Sequence, residues 1–390
     1  MNSINALSFS SDSGERKQYI LKSKRIVLKL GTKVLLSHYL DPGNGQMARF
    51  VDDIVTYMEK GHQFAIVTSG AVGFGMSVIG LEQRPSDLKK IQALASIGQG
   101  LLMQKWNDLF ARKGLHTGQI LLTYDIIENR NRFLHARDCL LSVISYGAIP
   151  IINENDSVAI DELKFGDNDT LSALTSSLMD ADLLVLFTDT DGLFTQNPHQ
   201  CQDAQRISYL DKIDDSTFAL IEDKHNELSL GGMKSKLQAA QRSTQGGASV
   251  VITNGFAPNL KAILEGEDIG TFIKSDRKFQ KKRKRWIFFN HKIKGKIVVD
   301  QGAEEALVHH AKSLLPGGVL STEGSFAEGC IVGIYNTANE MIGKGITYYS
   351  SHDIEKIKGQ RTDDINKAEV NRFYSEIIHR DNMIVTKEEE

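Results

Sequence analysis

The chain has few cysteines and none of the patterns in which cysteine carries structure or chemistry. Its 390 residues include only Cys139, Cys201 and Cys330, which lie far apart and form no CxxC pair. An odd number at this wide spacing predicts neither a disulfide framework nor a zinc site. The composition favours a reducing, cytoplasmic environment.

Long apolar segments are missing as well. No apolar run approaches the length of about 20 residues that a helix needs to cross a bilayer. The first residues, MNSINALSFSSDSGERKQYI, lack the basic start and the apolar run of a signal peptide. We therefore expect no membrane role.

Neither sign of charge dominates, and the two common nucleotide-binding fingerprints are absent. The formal net charge is -3, with 41% hydrophobic and 24% charged residues, as in an ordinary globular protein. This balance gives no overall attraction to nucleic acid or to a membrane surface. The chain contains neither GxxxxGK[ST] nor GxGxxG, so a bound nucleotide would need another architecture.

What the sequence does contain is an alternation of short apolar runs and longer helical patterns. The apolar runs are RIVLKL, FAIVTSG, GQILLTY, AIPIINE, LLVLFTD and SVVITNG. Runs that are apolar on both faces are typical of parallel strands buried between two helix layers. The stretch DLKKIQALASIGQGLLMQKWNDLFARKG has the apolar spacing of a helix and ends at glycine. We predict an α/β fold with a mainly parallel sheet sandwiched between helix layers.

The character of the chain changes near Lys274. The basic segment KSDRKFQKKRKRW is followed by short β-like runs between glycines, among them KIVVD, GCIVGIYN and MIGKGITYY. This pattern, in a chain too long for one ordinary core, predicts a small, mostly-β second domain. The predicted organisation is a flexible N-terminal tail (1–20), a main α/β domain (21–275), a basic linker (276–282), the mostly-β domain (283–375) and a C-terminal tail (376–390).

Polar residues follow several of the predicted strands, where ligands bind in open parallel sheets. Lys29 interrupts the first apolar run, and a lysine in a buried strand is unfavourable unless its ammonium group meets an anion. Three further strand ends carry Ser69, Asp156, and the pair Thr188 and Asp189. Three of these ends have an ordinary alternative: Lys29 can emerge at a strand edge, the glycines after Ser69 suit close helix packing, and the residues after Asp189 suit a tight turn. The end that carries Asp156 has four amide and carboxyl side chains in NEND, which is more than a turn needs.

The stretch FGDNDTLSAL places Asp167, Asn168 and Asp169 in a row before a helix-like run. Such residues cap helices and form tight turns, so a simple helix start is one interpretation. The other is a site in which carboxylates and an amide face a cationic or metal-bound ligand.

A glycine pair precedes Lys234 and Lys236 in LSLGGMKSKLQAA, where it is predicted to open a helix. Free backbone N–H groups, the positive end of a helix and a lysine together suit a phosphate group. A turn before an ordinary surface helix is the alternative.

Taken in order, KLGT, TSGAV, NENDSVA, GDNDTLSAL, TDTDGLFT and GGMKSK resemble the amino acid kinase family, and within it the enzymes that begin proline synthesis. The similarity runs from about Lys24 to about Thr386. KRKRWIF, SLLPGGV and EGSFAEGCIVGIYN are similar to the C-terminal PUA domain of bacterial members. The resemblance implies that ATP, with Mg²⁺, phosphorylates the side-chain carboxylate of L-glutamate to give L-glutamyl 5-phosphate.

The resemblance also implies roles for individual residues. Lys29 and Lys236 match the lysines that hold the transferring phosphoryl group, and Asp169 matches the aspartate that orients them. The matched glutamate-binding positions are Ser69, Asp156, Asn168 and, beside them, Asp167. The implied ATP-binding residues are Lys29, Thr188, Asp189, Leu230, Gly231, Gly232, Met233, Lys234, Ser235 and Lys236. Leu230 and Lys234 depart from the family, in which hydroxyl residues are common at both positions.

Implied partners and alternatives complete the prediction. The resemblance implies a homo-oligomer, a dimer or tetramer, and a functional link to glutamyl phosphate reductase. One alternative is a sister kinase acting on aspartate or another acceptor, although the acidic residues around Asp156 favour a substrate with a free amino group. The other is an RNA-binding or regulatory protein that works through its C-terminal PUA-like domain, with the basic stretch RKFQKKRKRW beside it. A solvated linker whose Trp286 packs into the second domain is the favoured interpretation of that stretch.

Overall fold

The computed structural model describes residues 13–40, 46–123, 126, 130–158, 168–198, 201, 203–221, 227–276, 287, 293–361 and 374–385. The chain divides into two compact units, Met1–Lys278 and Phe279–Glu390. Within the described ranges, every helix is too short or too polar to cross a membrane.

An eight-stranded sheet forms the centre of the first unit. Its strands are β1 (Arg25–Leu30), β2 (Gln63–Thr68), β3 (Thr117–Leu122), β4 (Ile149–Glu154), β5 (Leu183–Thr188), β6 (Tyr209–Leu210), β7 (Ser249–Asn254) and β8 (Thr271–Ile273). Their spatial order is β3-β4-β2-β1-β5-β7-β8-β6. The predicted apolar runs are β1 to β5 and β7, and these strands pair in parallel. β8 pairs with β7 in the antiparallel direction.

Burial explains why these runs occupy the middle of the sheet. Every residue of β5 is buried, and so is every residue of β1 and β2 after the first. A strand that is buried on both faces needs helices on each side of the sheet. The core built there includes the large side chains of Phe50, Trp106 and Phe187. The predicted α/β arrangement is confirmed.

The helices described in this unit surround the sheet. They are α1 (Ser13–Leu21), α2 (Thr32–Leu40), α3 (Gln46–Glu59), α4 (Ala71–Ile79), α5 (Leu88–Ala111), α6 (Arg130–Ser145), α7 (Asn168–Met179), α8 (Asp215–Ala219), α9 (Glu227–Gln245) and α10 (Leu260–Leu264). α5 is the predicted long helix, and it packs very closely against α4. A Cβ atom added at Gly98 would lie 1.9 Å from the carbonyl oxygen of Ala71. Only glycine therefore permits this contact.

α1 differs from the flexible tail predicted over residues 1–20. Ile20 is buried, and Arg16 is only 1% exposed. The guanidinium of Arg16 donates to Asp268 Oδ1 at 3.0 Å and to the carbonyl oxygen of Ile269. Burial lowers the pKa of Arg16 to about 10. A segment that is polar in sequence thus folds because its one buried cation finds partners beside β8; residues 1–12 lie outside the described ranges.

α7 is buried along nearly its whole length although it is rich in serine and threonine. The hydroxyls of Ser172, Thr175 and Ser176 donate to carbonyl oxygens three or four residues earlier, at 2.5, 2.8 and 2.9 Å. Because these three hydroxyls are satisfied within the helix, a polar helix can be buried; Ser177 Oγ is buried without a hydrogen-bond partner among the described residues. α7 begins at Asn168, which places Asp169 in its first turn.

α9 corrects the prediction that the glycine pair opens a helix. The helix begins at Glu227, so Gly231 and Gly232 lie in its second turn. Good helix formers on both sides, such as Glu227 and Met233, offset the cost of the glycines. The N–H groups without an intrahelical acceptor are those of the first four residues, not those of the glycine pair.

A separate five-stranded sheet forms the second unit. Its strands are β9 (Lys296–Val299), β10 (Val319–Glu323), β11 (Ile331–Tyr335), β12 (Met341–Ile346) and β13 (Met383–Val385), in the order β10-β9-β11-β12-β13. The helices α11 (Gln301–Val308) and α12 (Ser351–Ile357) pack with it around their own core. The predicted mostly-β second domain is confirmed.

The end of the chain differs from the predicted tail over 376–390. β13 pairs with β12 in the antiparallel direction, and Ile377 and Ile378 are fully buried. Their apolar side chains contribute to the core of the second unit, which explains why this segment is ordered. The basic segment over 277–286, including Trp286, lies outside the described residues.

Candidate active site

Three neighbouring strands end together at the middle of the first sheet. Leu30, the last residue of β1, pairs with Thr68 of β2 on one side and with Phe187 of β5 on the other. The next residues along the three strands therefore meet at one edge, and the N–H of Ser69 donates to the carbonyl oxygen of Leu30 at 3.2 Å. Because the chain continues from β1 to one side and later returns to its other side, this edge is a topological switch point, where ligands bind.

Asp169 bridges two lysines at this edge. Its Oδ1 atom lies 2.5 Å from Lys29 Nζ, and its Oδ2 atom lies 3.3 Å from Lys236 Nζ. The side chains are 0% exposed for Asp169, 4% for Lys29 and 12% for Lys236. Lysines so little exposed need an anion, and one carboxylate serves both. The structure therefore brings together the three residues that were predicted to be catalytic.

Further donors hold the Asp169 carboxylate in place. Ser235 Oγ donates to Asp169 Oδ2 at 2.8 Å, and the first turn of α7 supplies the positive end of a helix. Lys236 Nζ also donates to the carbonyl oxygen of Gly232 at 3.0 Å. Two ammonium groups and one carboxylate leave a net positive charge, so the cluster can attract an anion.

A set of amide side chains lies at the neighbouring strand ends. Asn168 Nδ2 donates to Ser69 Oγ at 2.8 Å and to Asn153 Oδ1 at 3.1 Å. Asn153, at the end of β4, donates in turn from Nδ2 to Gln99 Oε1 at 2.8 Å. The predicted glutamate-binding residues Ser69 and Asn168 are thus in direct contact.

Asp156 is not brought into this contact. Asp156 makes no hydrogen bond with Ser69 or Asn168 in the described structure, although it follows β4 by two residues. Burial raises the pKa of the Asp156 carboxyl group, and the nearby positive charge of Arg84 only partly opposes this. Asp167 lies outside the described residues.

The end of β5 carries the residues predicted to bind ATP. Thr188 Oγ1 donates to Asp189 Oδ1 at 3.1 Å, and Lys33 Nζ lies 3.4 Å from Asp189 Oδ2. Burial acts to raise the pKa of Asp189, but the hydrogen bonds from Thr188 and Lys33 outweigh it, so the pKa is lowered. An ionised Asp189 therefore faces the start of α2.

Of the other predicted ATP-binding residues, Lys29 lies on β1 and the rest lie on α9. Leu230 and Gly231 belong to its backbone, Met233 is half-buried, and Gly232 and Lys234 are exposed. Ser235 and Lys236, the next two residues of the helix, contact Asp169. Ser235 and Lys236 belong to the lysine cluster, and the carbonyl oxygen of Gly232 accepts from Lys236 Nζ.

Sequence reasoning missed Gln99 and Lys33 as members of this edge. Gln99 stands inside the helical stretch ASIGQGLL, where its only sequence signal is a polar residue between two glycines. Lys33 follows KLGT, and a lysine in the first turn of a helix is unfavourable for the helix dipole unless an anion is near. The position of Lys33 could therefore have been recognised from the sequence. Gln99 could not, because its contact with Asn153 depends on tertiary packing.

Comparison with known proteins shows the family of the chain. The model of the amino acid kinase family matches residues 24–254, and that of the PUA domain matches residues 295–368. A glutamate 5-kinase of Moorella thermoacetica is 42% identical over 93% of this chain and 97% of its own length. A glutamate 5-kinase of Syntrophotalea carbinolica is 39% identical over 95% of this chain and 100% of its own. Among solved structures, an isopentenyl phosphate kinase covers 64% of this chain and 100% of its own at 21% identity, with a TM-score of 0.43. The chain belongs to the amino acid kinase family and, within it, to the glutamate 5-kinases.

Proposed function

We propose that the protein transfers the γ-phosphoryl group of MgATP to the side-chain carboxylate of L-glutamate, giving L-glutamyl 5-phosphate and ADP in the first step of proline synthesis. The observation that carries this proposal is the bridge of Asp169 between Lys29 and Lys236 at the switch point of the sheet. These three residues lie inside the range that matches the kinase family. The name of the relatives favours glutamate over aspartate as the acceptor, and a kinase over an RNA-binding protein.

The reaction needs positive charge more than it needs a base. A glutamate side chain has a pKa of about 4.3 and is already ionised at neutral pH. One of its oxygens forms the new bond to the γ-phosphorus, the bond between that phosphorus and the β,γ-bridging oxygen breaks, and ADP leaves with the electron pair. Such a transfer is catalysed chiefly by positioning and by neutralising the charge of the anions.

Lys29 and Lys236 supply that charge, and Asp169 fixes where it lies. Because both lysines pair with the same carboxylate, one at each oxygen, their ammonium groups are held near each other at the strand ends. Preorganised charge of this kind needs no rearrangement when the phosphoryl group transfers. Ser235, bonded to Asp169, supports this arrangement.

ATP would bind between the end of β5 and α9. Thr188 and Asp189 lie at the end of β5, and residues 230 to 236 form the second and third turns of α9. The free N–H groups of α9 belong to its first four residues, so a phosphate contact there would use them rather than the glycine pair. Within the described residues, no group of three His, Cys, Asp or Glu side chains could hold a metal ion. Mg²⁺ is proposed to enter with the nucleotide, as part of the substrate MgATP.

Glutamate would bind at the amide side chains and Asp156. An α-ammonium group has three donors, and the oxygens of Ser69, Asn168 and Asp156 are acceptors. Asp167, which belongs to the same proposed subsite, follows from the sequence alone. The side-chain carboxylate would then point toward Lys29 and Lys236.

The proposal extends to the molecule's surroundings. The product is an acyl phosphate, which water hydrolyses readily, so a glutamyl phosphate reductase in the same cytoplasm would be its consumer. Exposed apolar side chains on α4, after it and on α5, namely Val78, Ile79, Leu81 and Ile97, suit the interface of a homo-oligomer, a dimer or tetramer. Light scattering after gel filtration would give the number of subunits.

A trapping assay tests the activity. Purified protein is incubated with ATP, Mg²⁺ and hydroxylamine, which converts acyl phosphates to hydroxamates, and with glutamate, aspartate, N-acetylglutamate or uridylate in separate tubes. We expect ADP and hydroxamate with glutamate. Turnover with another acceptor alone would assign a sister kinase, and no turnover with any acceptor would overturn the proposed kinase activity.

A further inference from the structure

A continuous chain of hydrogen-bonded side chains links α5 to the proposed glutamate subsite. We name it the amide relay, and it consists of Gln99, Asn153, Asn168 and Ser69. Gln99 Oε1 accepts from Asn153 Nδ2 at 2.8 Å, Asn153 Oδ1 accepts from Asn168 Nδ2 at 3.1 Å, and Ser69 Oγ accepts from the same Nδ2 at 2.8 Å. Four separate segments are therefore joined: α5, β4, α7 and the residue after β2.

The amide relay has a direction. A side-chain amide has a donor end and an acceptor end, so each bond fixes the orientation of the next amide. Since Asn153 gives its Nδ2 to Gln99, it presents Oδ1 to Asn168. Asn168 must therefore donate from Nδ2, and its own Oδ1 atom points away from Asn153. That oxygen is buried and has no hydrogen-bond partner among the described residues.

We propose that Gln99 is a positioning residue that sets the direction of the amide relay and so keeps Asn168 Oδ1 available for the substrate's α-ammonium group. A buried acceptor without a partner is unfavourable, and an ammonium group that donates to it removes this cost on binding. This inference rests on the proposed glutamate kinase activity. Gln99 touches neither the lysine cluster nor, in this scheme, the substrate.

The packing of α5 explains why Gln99 can hold this position. Its neighbour Gly98 is buried against the first turn of α4, where a Cβ atom would meet the carbonyl oxygen of Ala71 at 1.9 Å. One turn away on α5, Leu102 is fully buried, and Trp106 Nε1 donates to Thr68 Oγ1 at the end of β2. The helix is thus fixed against the same edge of the sheet that carries Ser69.

Gln99→Met tests the proposal because methionine keeps the length of the side chain and removes its acceptor. Asn153 then loses the bond that orients it, and Asn168 can turn Nδ2 toward the ammonium group. We expect the KM for glutamate to rise by about 10-fold, equivalent to about 1.4 kcal/mol. The KM for ATP, kcat and the melting temperature should stay near their wild-type values. Gln104→Met, an exposed position on the same helix, is the matched control and should change nothing.

Two further measurements separate positioning from packing. In an Asn153→Ala background the amide relay is already interrupted, so Gln99→Met should cause little further increase in the KM for glutamate. If the two residues acted independently, their effects on this KM would be additive. Glutarate, which lacks the α-amino group, should inhibit wild type and Gln99→Met with the same inhibition constant. Three results would each overturn the role of Gln99. These are additive effects of the two substitutions on the KM for glutamate, an equally large loss of affinity for glutarate in Gln99→Met, and an unchanged KM for glutamate in Gln99→Met. Failure of the underlying activity would be seen separately, as absence of hydroxamate with the wild-type protein.

Discussion

At the scale of single residues, the candidate site depends most on one buried carboxylate. Asp169 pairs with the ammonium group of Lys29, and it shares Lys236 with the carbonyl oxygen of Gly232. A cluster with two cations and one anion is stable only while the anion remains, since removing one partner of a buried pair leaves uncompensated charge. The same excess of positive charge is what the reaction uses.

Asp169→Asn should therefore separate catalysis from folding. The amide still accepts a hydrogen bond from Ser235, but it no longer fixes two ammonium groups. We expect kcat to fall by about 10²- to 10³-fold, measured as hydroxamate formation at a temperature where circular dichroism shows the variant folded. Asp138→Asn, at an exposed position on α6, is the control. A folded Asp169→Asn protein with wild-type kcat would refute the assignment of the lysine cluster.

Asp156 gives the site a predicted pH dependence. Burial raises the pKa of its carboxyl group above the ordinary value, which for aspartate is about 3.9. Only the ionised form pairs with an α-ammonium group, so lowering the pH through this raised pKa should increase the KM for glutamate. Initial rates from about pH 8 to about pH 5 measure it. Asp156→Asn should show a raised KM with a weaker pH dependence, and a KM that stays constant in wild type would contradict this role.

At the scale of elements, the sequence predicts strands better than it predicts the ends of the chain. β1 to β5 and β7 are runs whose residues are apolar on both faces, and this local signal is sufficient for a buried strand. α1 and β13 are stabilised instead by partners distant in sequence, Asp268 for Arg16 and β12 for Met383. The start of α9 was misplaced because glycine is a weak helix breaker, whose cost its neighbours can offset. For the site, the lysines and Asp169 were predictable from motifs, and Gln99 was not.

The contact of α4 with α5 gives a matched pair of substitutions. Gly98→Ala places a methyl group 1.9 Å from the carbonyl oxygen of Ala71, whereas Gly100→Ala meets nothing within 4 Å. Overpacking typically costs about 1–3 kcal/mol, while alanine favours a helix over glycine by about 1 kcal/mol. Thermal melting should therefore show Gly98→Ala destabilised and Gly100→Ala unchanged or more stable. Equal melting temperatures for the two variants would mean that α4 and α5 can move apart without a loss of stability.

α1 should stabilise the edge of the sheet through Arg16. Arg16→Met keeps most of the buried volume and removes the hydrogen bonds to Asp268 and to the carbonyl oxygen of Ile269. A hydrogen bond to a charged group contributes about 1.5–3 kcal/mol to stability. Because Asp268 is half-exposed, we expect the free energy of unfolding to fall by an amount at the lower end of that range. Urea titration measures it, with Lys22→Met at an exposed position as control. An unchanged midpoint would show that α1 is dispensable for stability.

At the scale of the whole molecule, the chain combines two units with separate cores. The core around β1 and β5 and the core around β9 and β11 share no residue. The two family models match on opposite sides of the division between Lys278 and Phe279. Domains with their own cores can in principle fold alone.

The first unit alone should therefore carry the reaction. The described residues of the proposed site, from Lys29 to Lys236, belong to that unit. We expect a fragment of residues 1–278 to melt cooperatively and to form hydroxamate with glutamate at a kcat of the same order as the full chain. The control is the full chain assayed in the same buffer, because the fragment and the full chain contain identical site residues. A fragment that melts cooperatively yet gives no hydroxamate would mean that the second unit completes the active site, and the proposal would then have to include residues beyond 278.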